Sequence, residues 1–558
     1  MKKNRQLKDK WVAQQFLDVF KTRPHWPAKE IVDCIRRAFK VIVTREFAYR
    51  VKYAAHKLLH GSMYEHYKKV KGYLAALESC SPGSHSELVI VMPKQPPPIF
   101  QRLFICFDGL AKGWIEGCRK VLAIDGCFLK TFLGGQLFCD VGRDSNDQMF
   151  PVAWAVTEGE NSLSWEWFLK HLQTSLELGD GIGLAILSDE HQAILSGVSS
   201  VLPQAEHRHC ARHVYANWSK SYRGDEFKLQ FWKIAKCYNK ADYDEALDEL
   251  SMINVEAALA FKAHNPQHFC RAFLSTDIKT DAITSNIAET FNGYIINART
   301  KHLLHMLEEI RSNLMHRMVQ KRQLMDKCTS VLCPRIQTKL NQEKDKAAMC
   351  EVFPSTMTLF NVTCFTYQVV VNSDIMTCTC RKWDMLGIPC KHAIACIFFL
   401  NKEAEDFVHK CYTKESYMRA YAGSIPPLVG ERYRPKVTYQ LQPPPIKIGP
   451  GRPRKKRVKD PYENPKKPGV LTKSGVEMTC SLCNVKGHNK RKCPEKGKIV
   501  QFQLTSFCSV TTNVTRGAPT HRSRSSRGRT VSVNQGTLNY LIMGTQPSQQ
   551  STLTQHPQ

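Results

Sequence analysis

The 558-residue chain contains no apolar run approaching the roughly 18 to 20 residues of a membrane-spanning helix, which excludes a helical span. Its first residues, MKKNRQLKDKW, lack the apolar stretch of a secretory signal, so an intracellular chain is expected. Acidic residues are in deficit: 50 Asp+Glu stand against 79 Lys+Arg, a formal net charge of +29. An excess of that size favours polyanions, nucleic acid ahead of anionic membrane. The imbalance is steepest over residues 451–500, with 15 Lys+Arg against 4 Asp+Glu. Cysteine, by contrast, is plentiful, with 22 residues. In an intracellular chain these read as thiols and metal ligands rather than disulfides. Isolated ones such as Cys118 and Cys237 read as plain core residues.

Apolar residues recur three and four apart in KWVAQQFLDVF, AKEIVDCIRRAF and REFAYRVKYAAHKLL. This predicts an N-terminal helical segment over 1–80, whose basic outer faces make it a candidate DNA contact. The polar and Pro-rich stretches SPGSHSEL and MPKQPPP predict a linker and entry to the core over 81–118. VLAIDGCFL, QLFCDVG and MFPVAWAVT then read as three strands, SLSWEWFLKHLQTSLEL as a helix and GLAILSD as a further strand. A helix at EHQAILSGVSSVL and a strand at AEHRHC follow. The order β-β-β-α-β-α-β predicts an α/β fold, a mixed sheet covered by helices. Residues 212–262 read as helical. In the later helix KHLLHMLEEIRSNLMHRMVQKRQ, Leu303, Met306, Leu307, Ile310, Leu314 and Met318 mark a buried stripe. Residues 440–470 read as a basic Pro-rich linker, and the Ser/Thr/Gln/Arg-rich tail 509–558 is expected to be disordered.

Two cysteine clusters have metal-ligand spacing. Cys378, Cys380, Cys390 and His392 form C-x-C-x9-C-x-H. Four soft ligands close a tetrahedron around Zn²⁺ with no open position, so this zinc is expected to be structural. Cys396 is an unneeded neighbour. Cys480, Cys483, His488 and Cys493 form C-x2-C-x4-H-x4-C, the zinc-knuckle (CCHC) spacing over 478–495 and a second structural zinc, with Gly487 easing the turn. Lys486, Lys490, Arg491 and Lys492 ring it, which makes single-stranded nucleic acid a candidate partner. No aromatic is present for strong base stacking. Between the clusters, GRPRKKRVK contains a Gly451-Arg452-Pro453 core like that of an AT-hook. Arg452, Arg454, Lys455, Lys456 and Arg457 are candidates for lying along a narrow A·T minor groove. The same run reads equally well as a nuclear localisation signal, against the plain alternative of a solvated linker.

Phosphodiester chemistry on a mixed sheet commonly uses two divalent cations bridged by carboxylates, and Mg²⁺ or Mn²⁺ takes such hard oxygen ligands. Asp125 ends one strand, Asp189 ends another, and Glu289 lies on a late helix. Each has a plain reading. Asp125-Gly126 is a common turn pair, Ser188 or Asp189 could cap the next helix, and Asn286-x-x-Glu289 resembles a capping box. Their joint order is what a ribonuclease-H-like nuclease requires.

Residues 121–170, followed by LSDEHQAI, HRHCARHVYANW, TSNIAETFNGYI and the first cysteine cluster, closely resemble Mutator-like element transposases of plants. The resemblance covers about residues 10–430. It implies a ribonuclease-H-like DDE domain over 119–325, with a helical insertion at about 212–275 before the last acid. It also implies a SWIM-type zinc finger over 360–402. Asp125, Asp189 and Glu289 match the family's catalytic acids, which use Mg²⁺ or Mn²⁺ to cleave DNA at terminal repeats and transfer strands to target DNA. A nuclear homo-oligomer assembled on DNA is expected. Cys210 and His213 match a C-x-x-H element, with metal binding or a helix-start role both open. Two departures stand out. Glu190-His191-Gln192-Ala193 replaces the family's usual Arg-Gln-Lys-Gly, and the N-terminal DNA-binding module of many relatives has no counterpart, as in a truncated or diverged copy. The alternative reading is therefore a domesticated, non-catalytic DNA-binding regulator; a third is an RNA-binding protein led by the knuckle.

Overall fold

A computed structural model describes residues 7–445, except 24–25, 61–62, 95–96, 132, 436 and 438–439, together with 479–483, 485–487 and 493–494. Arg452, Arg454, Lys455, Lys456, Arg457, His488 and the tail 509–558 lie outside the described residues.

Two sheets organise the chain up to Arg452. The first comprises β1 (His85–Val91), β2 (Ile99–Cys106), β3 (Arg119–Phe128), β4 (Gln136–Arg143), β5 (Met149–Thr157), β6 (Ala185–Ser188) and β7 (Glu206–His209). Their spatial order is β1-β2-β5-β4-β3-β6-β7. Pairing is antiparallel from β1 through β3, and parallel from β3 to β6 and β6 to β7. The central strands are near-continuous apolar runs because both faces are covered, and every residue of β5 is buried. On one face, Phe138 of β4 stacks on Trp165 of the helix Ser162–Leu176, with ring centroids 3.9 Å apart. The opposite face is covered by the helix Asn286–Tyr294, which packs on β3, β4 and β5. The chain is thus a mixed α/β structure.

The stretch 81–118, expected as a linker and entry to the core, is largely regular structure. Its residues supply β1, β2 and the helix Asp108–Gly117, with connections before β1 and at the proline-bearing stretch between the two strands. Proline donates no backbone hydrogen bond and interrupts pairing locally. The apolar runs on either side, LVIV and RLFIC, pair across it with His85 opposite Cys106.

Helices run from Asp9 to Cys80, and the first four enclose a small core of their own around Val12, Phe20, Trp26, Ile31 and Ile35. The insertion between β7 and the Glu289 helix also has its own core, built on Trp218, Phe231, Phe261 and Phe269. The second sheet is an antiparallel meander of β8 (Glu351–Pro354), β9 (Leu359–Cys364), β10 (Tyr367–Asn372) and β11 (Thr377–Cys378), with the helix Lys391–Phe399 against it. After it, the helix Lys414–Ala420 returns to the first sheet and lies on the helix Asp108–Gly117. Gly113 and Gly117 permit that approach, since a Cβ at either would collide with the backbone of Ala420. No described helix is long and apolar enough to cross a membrane.

Candidate catalytic and zinc sites

Parallel pairing of β3 with β6 sets Val121 opposite Ala185 and Ala123 opposite Leu187. The same register carried two residues further sets Asp125 beside Asp189. Side chains alternate along a strand, so both acids project to one face, from strands about 4.8 Å apart. Asp125 lies inside the β3–β4 ladder opposite Cys139, so Asp125-Gly126 is not a turn. Asp189 does hold a turn: its Oδ1 accepts from the His191 amide at 3.0 Å, leading into the helix Gln192–Val201. That helix has no side-chain cap on its N-cap residue, His191.

Glu289 arrives on the helix Asn286–Tyr294, above the same face. It closes no capping box, since the N-cap residue is Ser285 with no side-chain cap. Its carboxylate forms an ion pair with Arg212 and lies 3.9 Å from His213 Nε2. One turn later on the helix, Asn292 Nδ2 donates to Asp125 Oδ2 at 2.7 Å, and Asn292 Oδ1 accepts from Cys139 Sγ at 3.5 Å. Burial and then the charge of Asp189 push the Asp125 carboxyl up to about 6. Two neighbouring carboxylates, with Asp125 disfavoured from ionising alone, are a donor set suited to a divalent cation. Glu289, held by Arg212, does not close on them: among the described residues, the groups whose ligand atoms gather within 4.8 Å are built on cysteine sulfur.

Cys210 and His213 sit beside these acids and belong to none of those groups. Cys210 precedes the helix Ala211–Trp218, and its sulfur accepts from the Ser285 amide at 3.3 Å. Burial works to raise the Cys210 thiol, but contact with His213 and Ser285 outweighs it and draws it down to about 6. His213 is raised, first by Cys210 and against its burial, with the charge of Asp189 adding. The contact is not aligned as a regular hydrogen bond, and His213 Nδ1 has no partner of normal geometry. The element thus ties the start of one helix to the start of the Glu289 helix. Glu190, the departure from the family pattern, turns toward the insertion. It lies 3.8 Å from His209 Nδ1 and accepts from Asn217 Nδ2 at 3.3 Å.

The segment from Leu274 to Ser285 delivers Glu289 to the sheet, and it is gripped by side chains that sequence reading missed. Arg208, fully buried on β7, donates to the carbonyls of Thr280 at 2.9 Å and Ala282 at 3.4 Å and pairs with Glu206 at 2.7 Å. Tyr412 Oη donates to Lys279 O at 2.9 Å. Arg381, between two zinc-type cysteines, donates to the carbonyls of Tyr238 at 3.2 Å, Arg271 at 3.1 Å, Ala272 at 2.6 Å and also Leu274. Arg208 lies in a strand that reads Glu-His-Arg-His, so nothing in the local sequence marked it as buried. Nothing local marks Arg381.

Cys378, Cys380, Cys390 and His392 converge so that their ligand atoms lie within 4.8 Å of one another. His392 Nδ1 is 3.7 Å from both Cys378 Sγ and Cys390 Sγ. Ligands at ~2.0–2.3 Å from a central Zn²⁺ in a tetrahedron require separations of this size, so the residues fit the metal. Asp384 Oδ2 accepts from the Cys378 amide at 3.0 Å, and Tyr367 Oη meets His392 Nε2 at 3.2 Å, orienting the ring.

Residues 121–217 match the MULE transposase domain, and residues 367–400 match the SWIM zinc finger. The chain carries a MULE transposase domain and a SWIM zinc finger. The MULE match spans Asp125, Asp189, Cys210 and His213 and stops before Glu289; the SWIM match spans all four zinc-type ligands. No curated protein matches the chain. In the separate C-terminal unit, Cys480, Cys483 and Cys493 also gather within 4.8 Å. The Cys480 amide donates to Val485 O at 2.9 Å and Gly487 has φ of 101°, the left-handed turn that a glycine permits. Three sulfurs converge there, so the chain has a second cysteine cluster able to coordinate Zn²⁺.

Proposed function

We propose that the protein is a Mutator-like transposase or a close derivative, cleaving DNA at element ends and joining the freed 3′-OH to target DNA. The observation that carries this reading is the matched register of Asp125 and Asp189 on neighbouring parallel strands. The strand run β5-β4-β3-β6-β7, three antiparallel strands followed by two parallel ones, supports a ribonuclease-H-like sheet. Asp125, Asp189 and Glu289 would hold Mg²⁺ or Mn²⁺, which when bound activates an attacking oxygen and stabilises a leaving one. Asn292 fixes the Asp125 carboxylate, and Arg212 holds Glu289 at the rim. The SWIM finger braces the insertion. The basic run Arg452–Arg457 adds salt-sensitive DNA affinity and nuclear entry, and the knuckle, with His488 as fourth ligand, contacts single-stranded nucleic acid. Assembly as a homo-oligomer on terminal repeats in a plant nucleus completes the proposal.

A second reading, a non-catalytic DNA-binding regulator, is favoured by the Arg212–Glu289 ion pair, which must open before Glu289 can serve a metal. The two are separated by nicking and strand joining on supercoiled plasmid with Mn²⁺ or Mg²⁺, with Asp125→Asn and Asp189→Asn beside the unaltered chain. Activity lost in both variants supports the enzyme. Silence from a folded, zinc-loaded, DNA-binding protein supports the regulator.

A further inference from the structure

The hairpin that leads into the SWIM finger carries two cysteines that its zinc does not need. β8 and β9 are antiparallel, with Glu351 opposite Thr363 and Val352 opposite Val362. One further step along this ladder sets Cys350 opposite Cys364. Directly opposed residues have Cα atoms about 4.5–5.5 Å apart, within the ~4.4–6.8 Å that a disulfide spans. The two sulfurs lie within 4.8 Å of each other and of a His392 ring nitrogen.

Those three atoms do not make a second metal site while the SWIM zinc is in place. His392 faces Cys378 and Cys390 with Nδ1, leaving Nε2 toward Tyr367. An imidazole that binds metal through one nitrogen carries its proton on the other. Cys350 and Cys364 are then a two-sulfur pair without a third ligand. Lys391 Nζ contacts Cys364 Sγ at 3.0 Å. Cys364 is buried, whereas Cys350 is half-buried and open to a small oxidant.

We propose that Cys350 and Cys364 are a reversible redox pair that forms a cross-strand disulfide in response to a hydroperoxide, independently of the neighbouring zinc. The half-buried Cys350 sulfur attacks one peroxide oxygen. The O–O bond breaks, an S–O bond forms, and the thiol proton leaves with the other oxygen as water when the peroxide is hydrogen peroxide. Cys364 sulfur then attacks the Cys350 sulfenic acid; the S–O bond breaks, and the Cys364 proton leaves with the hydroxyl as a second water. Two thiols are oxidised, one peroxide is reduced, and the S–S bond staples β8 to β9 at the edge of the finger. Disulfides in reducing compartments are characteristically transient and redox-sensing.

The test treats the full-length, zinc-loaded protein with hydrogen peroxide, blocks remaining thiols, and maps peptides without reduction while zinc content is measured. The expected result is a Cys350–Cys364 linked peptide that dithiothreitol releases, with zinc content and the Cys378, Cys380 and Cys390 thiols unchanged. Cys364→Ser should leave Cys350 as a sulfenic acid captured by dimedone. Three outcomes overturn the proposal: zinc loss with finger cysteines oxidised before the pair links; Cys350 linked to Cys396 or overoxidised without a link; or added Zn²⁺ binding as an extra equivalent that protects both sulfurs. The map of the unaltered chain decides the matter even if a variant does not fold.

Discussion

Replacing Asp125 with Asn is expected to stabilise the metal-free protein. Burial and the charge of Asp189 move the Asp125 carboxyl from 3.8 to about 6. At ~1.36 kcal/mol per tenfold change in proton affinity, holding it ionised above that range costs the fold roughly 3 kcal/mol. Partial contact with solvent reduces this, so the expected gain from Asn is about 1–3 kcal/mol near pH 7.5. The amide is close in shape, and its oxygen can still accept from Asn292. The sign follows from proton linkage: an acid with a raised folded-state pKa holds its proton more tightly folded than unfolded. The contribution of Asp125 to native stability therefore falls as pH rises from about 4 to about 6 and is level above that. The gain in Asp125→Asn should be absent at about pH 4 and complete above about pH 6. Urea unfolding followed by tryptophan fluorescence, in chelator and in excess Mg²⁺ or Mn²⁺, measures it. The cation should stabilise the unaltered chain and not the variant. Equal stability of the two proteins in chelator near pH 7.5, or a gain that does not vary with pH, would refute the electrostatic account of this site.

Three further perturbations probe other levels of the structure. Arg381→Met strips four backbone carbonyls of their donor and should cost about 2–4 kcal/mol, with zinc content preserved; a loss in urea unfolding below about 1 kcal/mol contradicts the bracing role. Asp140, fully buried in β4, is held well above the usual carboxylate range by burial, against the opposing Val141 amide. Its proton too is bound more tightly in the folded state, so Asp140→Asn should be increasingly more stable than the unaltered chain as pH rises above the ordinary carboxylate range; parallel pH profiles of the two proteins sink that idea. Cys390→Ser removes a buried SWIM ligand and should lose one zinc equivalent while the knuckle keeps its own. Full zinc content by elemental analysis means the four-ligand assignment is wrong.

The sheet was legible because its central strands are buried on both faces and so spell continuous apolar runs, as in VLAI and PVAWAVT. That logic placed Asp125 and Asp189 at strand ends, which holds for Asp189, just past Ser188, whereas β3 runs on through Asp125 to Phe128. It could not show that they share a register position, because register is a property of two strands together. β1 and β2 were hidden by the prolines between them, which weigh heavily in a local reading although they interrupt only a hairpin connection. The cysteine spacing of the finger was readable because metal ligands must sit close in the chain around a small tetrahedron. Cys350 and Cys364 were not, since fourteen positions apart means nothing until the hairpin ladder aligns them. Glu289 was placed on a late helix from the residues and matched to a third acid by family resemblance, and its partner Arg212 came only with the fold.

The same long-range contacts bear on why a zinc finger follows the acids in this chain. Cys378 and Cys380 fix the turn that presents Arg381, and Arg381 holds carbonyls at Tyr238, Arg271, Ala272 and Leu274. Lys279, further along the same segment, donates to Asp384 O at 3.0 Å, while the Asp384 carboxylate accepts from the Cys378 amide. Arg208 takes over at Thr280 and Ala282, and Cys210 at Ser285, where the Glu289 helix begins. Arg381, Lys279, Arg208 and Cys210 thus fasten successive points between Arg271 and Ser285, a segment whose regular structure is a single short helical turn at Arg271–Phe273. Such a segment has no ladder to hold its carbonyls, so side-chain donors must supply what secondary structure does elsewhere. On this arrangement a metal bound at Cys378, Cys380, Cys390 and His392 would bear on the candidate catalytic face by helping to set where Glu289 stands.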